Sequence, residues 1–210
     1  MWSPRDARRA HLLEQELRFY GSGREPLPAV FPDWECLPYD LFSPHQDIIS
    51  ERLRLLAGIG ERRGGAVLVT IANLAQRLPP ADYVLGHSIV LERGQHLDID
   101  TFRGRLQQAA YYAVSQVAMP GEYAVRGGLI DLFPMGASWP IRIDLFDDEI
   151  ESLRRFDPED QRSTDRLERM TLLPAREFPL DDAAVPHLQG QLPQGLRGRP
   201  HAPESVPRGQ

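Results

Sequence analysis

At Gly86 the spacing of apolar residues changes. Before it they recur every three or four positions, the period of a helix; after it they alternate, the period of a strand. That switch restricts the chain to an α/β portion with a parallel sheet, followed by a small α+β portion of antiparallel hairpins. In the first portion Ala7, Ala10, Leu13, Leu17 and Tyr20 predict an amphipathic helix over residues 3–20, bounded by Pro4 and Gly21. Residues 28–31 read as a short buried strand. Ser43 and Pro44 mark the start of a second helix over 46–56. Its apolar face carries Ile48, Ile49, Leu53 and Leu56, and its polar face Glu51, Arg52 and Arg54. Residues 66–71, Ala-Val-Leu-Val-Thr-Ile behind Gly64-Gly65, are a continuous apolar run of the kind found in strands covered on both faces, hence the parallel sheet. Short helices follow over 72–78 and 81–85. In the second portion strands are predicted over 88–91, 114–117, 122–133, 139–146, 149–156 and 167–173, with one helix over about 100–110. Pro, Gly, Arg, Gln and His dominate 186–210 without periodicity, the composition of a disordered tail.

Charge and residue types exclude several functions. Among 210 residues, 24 are basic and 30 acidic, a formal charge of -6, with 41% hydrophobic residues. With a pI near 5.5, nucleic acid is disfavoured as the main partner, since phosphate binding needs a basic surface. No apolar run approaches the roughly 20 residues of a membrane span, and the start lacks the apolar stretch of a signal peptide, so a cytoplasmic protein without membrane contact is expected. A single cysteine, Cys36, excludes an internal disulfide framework and a cysteine-based zinc site. All basic residues are arginines, and without lysine no phosphate-binding Gly-x-x-x-x-Gly-Lys-[Ser/Thr] loop can form. The six histidines are scattered, and no Gly-x-Ser-x-Gly motif is present. Asp144, Asp147, Asp148, Glu149 and Glu151 could be imagined around a divalent metal, but Asp147-Asp148 between two strands is the composition of a solvated hairpin turn. No catalytic, metal or cofactor site is therefore expected in these residues.

One hairpin is more informative. Alternation along Trp139-Pro-Ile-Arg-Ile-Asp-Leu-Phe146 puts Ile141, Ile143 and Leu145 on a core face and Arg142, Asp144 and Phe146 on the other. If residues 122–133 pair with this strand around a turn at 134–138, Arg126 falls opposite Phe146 and Ile130 opposite Arg142, all on the second face. Two arginines, an aromatic ring and the small Gly128 make the composition of a protein-binding surface, against the plainer reading of a wet sheet face with extended arginines. On this reading Arg142 is exposed, and its loss should affect binding rather than stability.

Leu13-Glu-Gln-Glu-Leu-Arg-Phe-Tyr20, Phe31-Pro-Asp-Trp-Glu-Cys-Leu-Pro-Tyr-Asp40, Phe42-Ser-Pro-His-Gln-Asp-Ile-Ile-Ser-Glu-Arg-Leu53, Gly121-Glu-Tyr-Ala-Val-Arg-Gly-Gly-Leu-Ile-Asp-Leu-Phe-Pro134 and Phe146-Asp-Asp-Glu-Ile-Glu-Ser-Leu153 closely resemble the N-terminal, UvrB-homologous region of the bacterial transcription-repair coupling factors. The likeness runs over about 3–184. UvrB itself is similar at a greater distance, with a long DNA-probing hairpin where this chain passes directly from Trp34 to Ser43. A UvrB-like DNA-binding fragment is thus the second reading. The resemblance implies a binding module: Arg126, Arg142 and Phe146 match residues that contact UvrA. It implies four parts. Residues 1–87 are an incomplete α/β domain, like UvrB domain 1a without its first strand and nucleotide loop. Residues 88–173 are an α+β UvrA-interaction domain, like UvrB domain 2. Residues 174–185 begin a returning α/β segment, and 186–210 are a disordered tail whose residues also fit translation one nucleotide out of frame. RNA polymerase, DNA, ATP and magnesium are expected only for domains absent here, and a monomer is expected.

Overall fold

The computed structural model describes residues 4–21, 26–35, 44–59, 65–79 and 81–178. Cys36, the proposed cap Ser43 and the tail over 186–210 lie outside them.

Helix α1 (Pro4–Tyr20) leads to strand β1 (Ala29–Val30), and Arg18 Nη2 of the helix donates to the Pro28 carbonyl at 3.2 Å. Helix α2 (Gln46–Ile59) then connects β1 to β2 (Val67–Leu68), which pairs with it in parallel, Ala29 beside Val67 and Val30 beside Leu68. A small core of Ala29, Phe31 and Leu55 closes beneath this unit. The parallel pairing is the expected one, but β2 is shorter than the apolar run. Thr70 ends it: its hydroxyl accepts from the Asn73 amide at 3.2 Å and caps helix α3 (Ile71–Leu74), so capping overrides the strand preference of Thr70 and Ile71. Helix α4 (Ala81–Gly86) follows.

The second portion comprises β3 (Ile89–Glu92), α5 (Ile99–Gln108), β4 (Tyr112–Ala113), β5 (Glu122–Arg126), β6 (Leu129–Leu132), β7 (Ile141–Phe146), β8 (Glu149–Phe156), β9 (Ser163–Leu167) and β10 (Arg169–Leu172). Strands β4 to β9 form one sheet in chain order, antiparallel except for the parallel β4–β5 pair, while β3 and β10 make a separate antiparallel pair. Phe102 and Leu106 of α5 pack on Ile130, Leu132, Ile141, Ile143, Ile150 and Leu153 of the sheet, and Leu53 and Val84 join the same core. Asp98 caps α5, accepting from the Thr101 amide at 2.8 Å.

Three strand expectations change. The run over 122–133 is two strands, because Gly127, at φ +60°, turns the chain back on itself. The strand expected over 114–117 lies at Tyr112–Ala113 instead, while Val117 is buried in a second apolar cluster. Residues 167–173 divide between β9 and β10, which belong to different sheets. Strand β9 begins Ser-Thr-Asp-Arg and is exposed along most of its length, so it carries no apolar alternation by which to be read.

Arg52 departs most from its expected place on a polar helix face: its side chain is fully buried. Nε and Nη2 donate to the two carboxylate oxygens of Glu177 at 2.5 and 3.2 Å. Nη1 donates to the Pro32 carbonyl at 2.6 Å and to Asn73 Oδ1 at 3.1 Å. The guanidinium lies 4.4 Å from the centre of the Phe31 ring and 5.0 Å from that of Trp34, and Trp34 Nε1 also donates to Glu177. This cluster ties α2, the segment after β1 and α3 to the stretch that follows β10.

Replacing Glu177 by Gln leaves a buried guanidinium without its counter-charge and should cost about 3 kcal/mol, read from urea unfolding. Hydrogen bonds from Thr101 hold the Asp98 carboxyl below its ordinary value of 3.8. Its contribution to stability is therefore complete above that pH and lost as pH falls through the lowered value. The stability gap between the wild type and Asp98→Ala should narrow correspondingly in acid denaturation.

Candidate protein-binding face

One face of the six-stranded sheet packs on the main core. Cross-strand register orders the other face into rows. Ala124, Asp131, Arg142, Arg154 and Arg166 are successive neighbours across β5 to β9. Arg126, Leu129, Asp144 and Ser152 form the next row across β5 to β8. Phe146 stands beyond it on β7, 72% exposed.

The centre is Asp131, whose side chain is only 1% exposed. Arg142 grips it with a fork, Nε to Oδ1 at 2.7 Å and Nη2 to Oδ2 at 3.0 Å. The third nitrogen of Arg142, Nη1, donates to the Gln161 carbonyl at 3.1 Å, and the guanidinium lies over the Phe156 ring at 4.8 Å. The hydrogen bond to Asp131 raises the Arg142 pKa further, against the opposing effect of burial, with the charges of Asp131 and Asp144 adding to the rise. Arg126 approaches the same carboxylate from the other side, with Nη2 3.6 Å from Oδ2 and also donating to the Ser115 carbonyl at 3.2 Å. Below them Val117, Ala124, Phe133 and Phe156 form the second apolar cluster. On the neighbouring row, Asp144 Oδ2 accepts from Ser152 Oγ at 2.5 Å and lies 3.6 Å from Arg154 Nε.

Arg126 and Phe146 thus stand half or more exposed on the face where alternation places them. Arg142 shares that face but is not a free side chain: it is 17% exposed and all three of its nitrogens are engaged. The expected pairings also shift. Because the chain turns at Gly127, Arg126 lies opposite Leu129 rather than Phe146. Arg142 lies opposite Asp131, while Ile130 pairs with Ile143 and is buried in the core. Sequence reasoning passed over Asp131, although an acid inside Leu-Ile-Asp-Leu-Phe is itself a signal that a buried partner is needed. The carboxylates over 144–151 do not converge. Asp147, at φ +54°, makes the hairpin turn with Asp148, and Asp148 Oδ1 lies 3.2 Å from His96 Nδ1. Among the described residues, no three such groups come together in a way that could hold a metal ion, and no helix is long and apolar enough to cross a membrane.

A mainly antiparallel sheet with one face in the core and arginine and aromatic side chains on the other has the composition enriched at protein-binding surfaces. Residues 89–178 match the UvrB interaction domain. More broadly, the chain is related by sequence to the transcription-repair-coupling factors. It is 49% identical over 163 residues to that of Haemophilus influenzae, covering 78% of this chain. Identity to the Escherichia coli K12 factor is 50% over 159 residues, covering 76%, and to the Staphylococcus haemolyticus factor 32% over 177 residues, covering 84%. The matched part spans 14% of the first two relatives and 15% of the third.

The geometry separates the two arginines by stability. Arg142→Ala leaves Asp131 buried with only the longer Arg126 pair and should cost about 3 kcal/mol, whereas the half-exposed Arg126→Ala should stay within about 0.5 kcal/mol of wild type. Parallel urea denaturation curves check both.

Proposed function

We propose that this chain is a UvrA-recruiting module of transcription-coupled nucleotide excision repair, working in the cytoplasm as a binding protein rather than a catalyst. The observation that carries the reading is the second face of the sheet: an exposed Phe146 and a half-exposed Arg126 stand above an ordered ion pair. That face lies within the residues that match the UvrB interaction domain. The kinship to the coupling factors supports the same reading. Arg126 offers a planar fork of donors to a carboxylate on the partner, and Phe146 supplies apolar area beside it. Arg142 contributes mainly by holding the surface in shape. In this reading ATP and magnesium, RNA polymerase and DNA belong to parts of the coupling factors beyond the matched segment.

Calorimetric titration of the full chain with purified UvrA tests the proposal. The wild type should bind, and the folded Arg126→Ala/Phe146→Ala variant should bind at least about 30-fold more weakly, the effect of losing an interface anchor. No binding by folded wild-type protein would overturn it.

A further inference from the structure

We propose that Asp131 is the positioning residue of this face, and that it leaves Arg126 as the arginine that receives a carboxylate from the partner; the inference rests on the UvrA-binding reading above. The count of charges leads to it. Two guanidinium groups meet one carboxylate. Arg142 takes both oxygens of Asp131 at hydrogen-bond distance, spends its remaining nitrogen on the Gln161 carbonyl and covers the Phe156 ring. Each of its nitrogens is already engaged and its side chain is only 17% exposed, so little of it can meet a second acid. Arg126 reaches Asp131 only at 3.6 Å, from a side chain that is half exposed, and its one hydrogen bond is to the Ser115 carbonyl. Both contacts are made by Nη2, so of the five N–H donors of the guanidinium those on Nε and Nη1 remain for a carboxylate of the partner.

The cluster Arg126–Asp131–Arg142 therefore keeps one unit of positive charge, and that charge is at Arg126. Asp131 does two things for it. Its attraction holds the long Arg126 side chain over the sheet, reducing the rotamer freedom lost on binding. Its occupation by Arg142 prevents it from closing on Arg126 as well and competing with the partner. Leu129, beside Arg126 in the register, and Phe146 supply the apolar rim. The partner chemistry is thus an acidic side chain next to an apolar one, with the acid seated on Arg126.

The test is a double-mutant cycle on the full chain, titrated with UvrA at a temperature where circular dichroism shows each protein folded. The variants are Asp131→Asn, Arg126→Ala and their combination. Asp131→Asn should weaken binding about tenfold, and should have almost no further effect once Arg126 is already Ala, because Asp131 acts through that side chain. If Asp131→Asn does not fold, Asp131→Asn/Arg142→Gln replaces it. That variant removes both halves of the buried ion pair, which is far less disruptive than removing one, and the same coupling to Arg126→Ala is expected. A steeper fall of wild-type affinity with added salt than in either single variant would reflect the same ion pair with the partner. Binding of folded Asp131→Asn equal to wild type, or losses that simply add, would give Asp131 a structural role only and overturn this inference while leaving UvrA recruitment intact. Absence of wild-type binding would overturn both.

Discussion

A carboxylate removed from water must be paired, and Asp131 is removed from water almost completely. Its presence in the middle of β6 sets what its neighbours can be. The residue opposite has to be a cation long enough to lie flat against the sheet, and Arg142 is. The floor under that cation has to accept a guanidinium face, and the Phe156 ring does. The register is locked as well. A slip of one residue between β6 and β7 would turn Ile130 toward water and Asp131 into the hydrocarbon core, losing on both faces at once. The ion pair is therefore as much a register device as a source of stability.

The same face also carries a cost. Arg142, Arg154 and Arg166 are cross-strand neighbours on β7, β8 and β9, and like charges set opposite each other are unfavourable. Asp131 and Asp144 offset the first two. A chain with an overall excess of acid has thus gathered basic side chains on one side of one sheet, the distribution that steers an acidic partner toward it.

Much of this was legible in the residues. The parallel pair, the α5 helix, the alternation of β7 and the Asp147-Asp148 turn all follow from local patterns, and so do the exposed positions of Arg126 and Phe146. The turn at Gly127-Gly128 was legible too: Gly-Gly between two strand runs is a two-residue hairpin signal, and the core-facing positions change phase across it, from Tyr123 and Val125 to Ile130 and Leu132. What escaped was otherwise non-local. Strand β9 is a polar edge, held by its neighbour rather than by its own apolar residues. Arg52 shares the helical phase of Ile48, Ile49 and Leu56, so spacing alone puts it on the buried face, but the partner that balances its charge there lies 125 positions along the chain. Arg142 was assigned to the right face, but its burial depended on a partner two strands' worth of sequence away. In each case the deciding energy comes from a contact that local periodicity does not encode.

The bond between Arg52 and Glu177 bears on how the chain finds its structure. Closing so long a stretch directly would carry a large entropic penalty, though one that grows only with the logarithm of its length. Strands β3 and β10 reduce it. Ile89 and Leu172 are paired, so once the sheet domain between them has formed, its two ends emerge side by side. Only the stretches from Arg52 to Ile89 and from Leu172 to Glu177 then remain to be drawn in. The hairpins, whose contacts are close in sequence, can form first and bring Glu177 to α2 as a nearby group. The kinetic order of assembly would then run from the middle of the chain outward, with the α/β portion completed last.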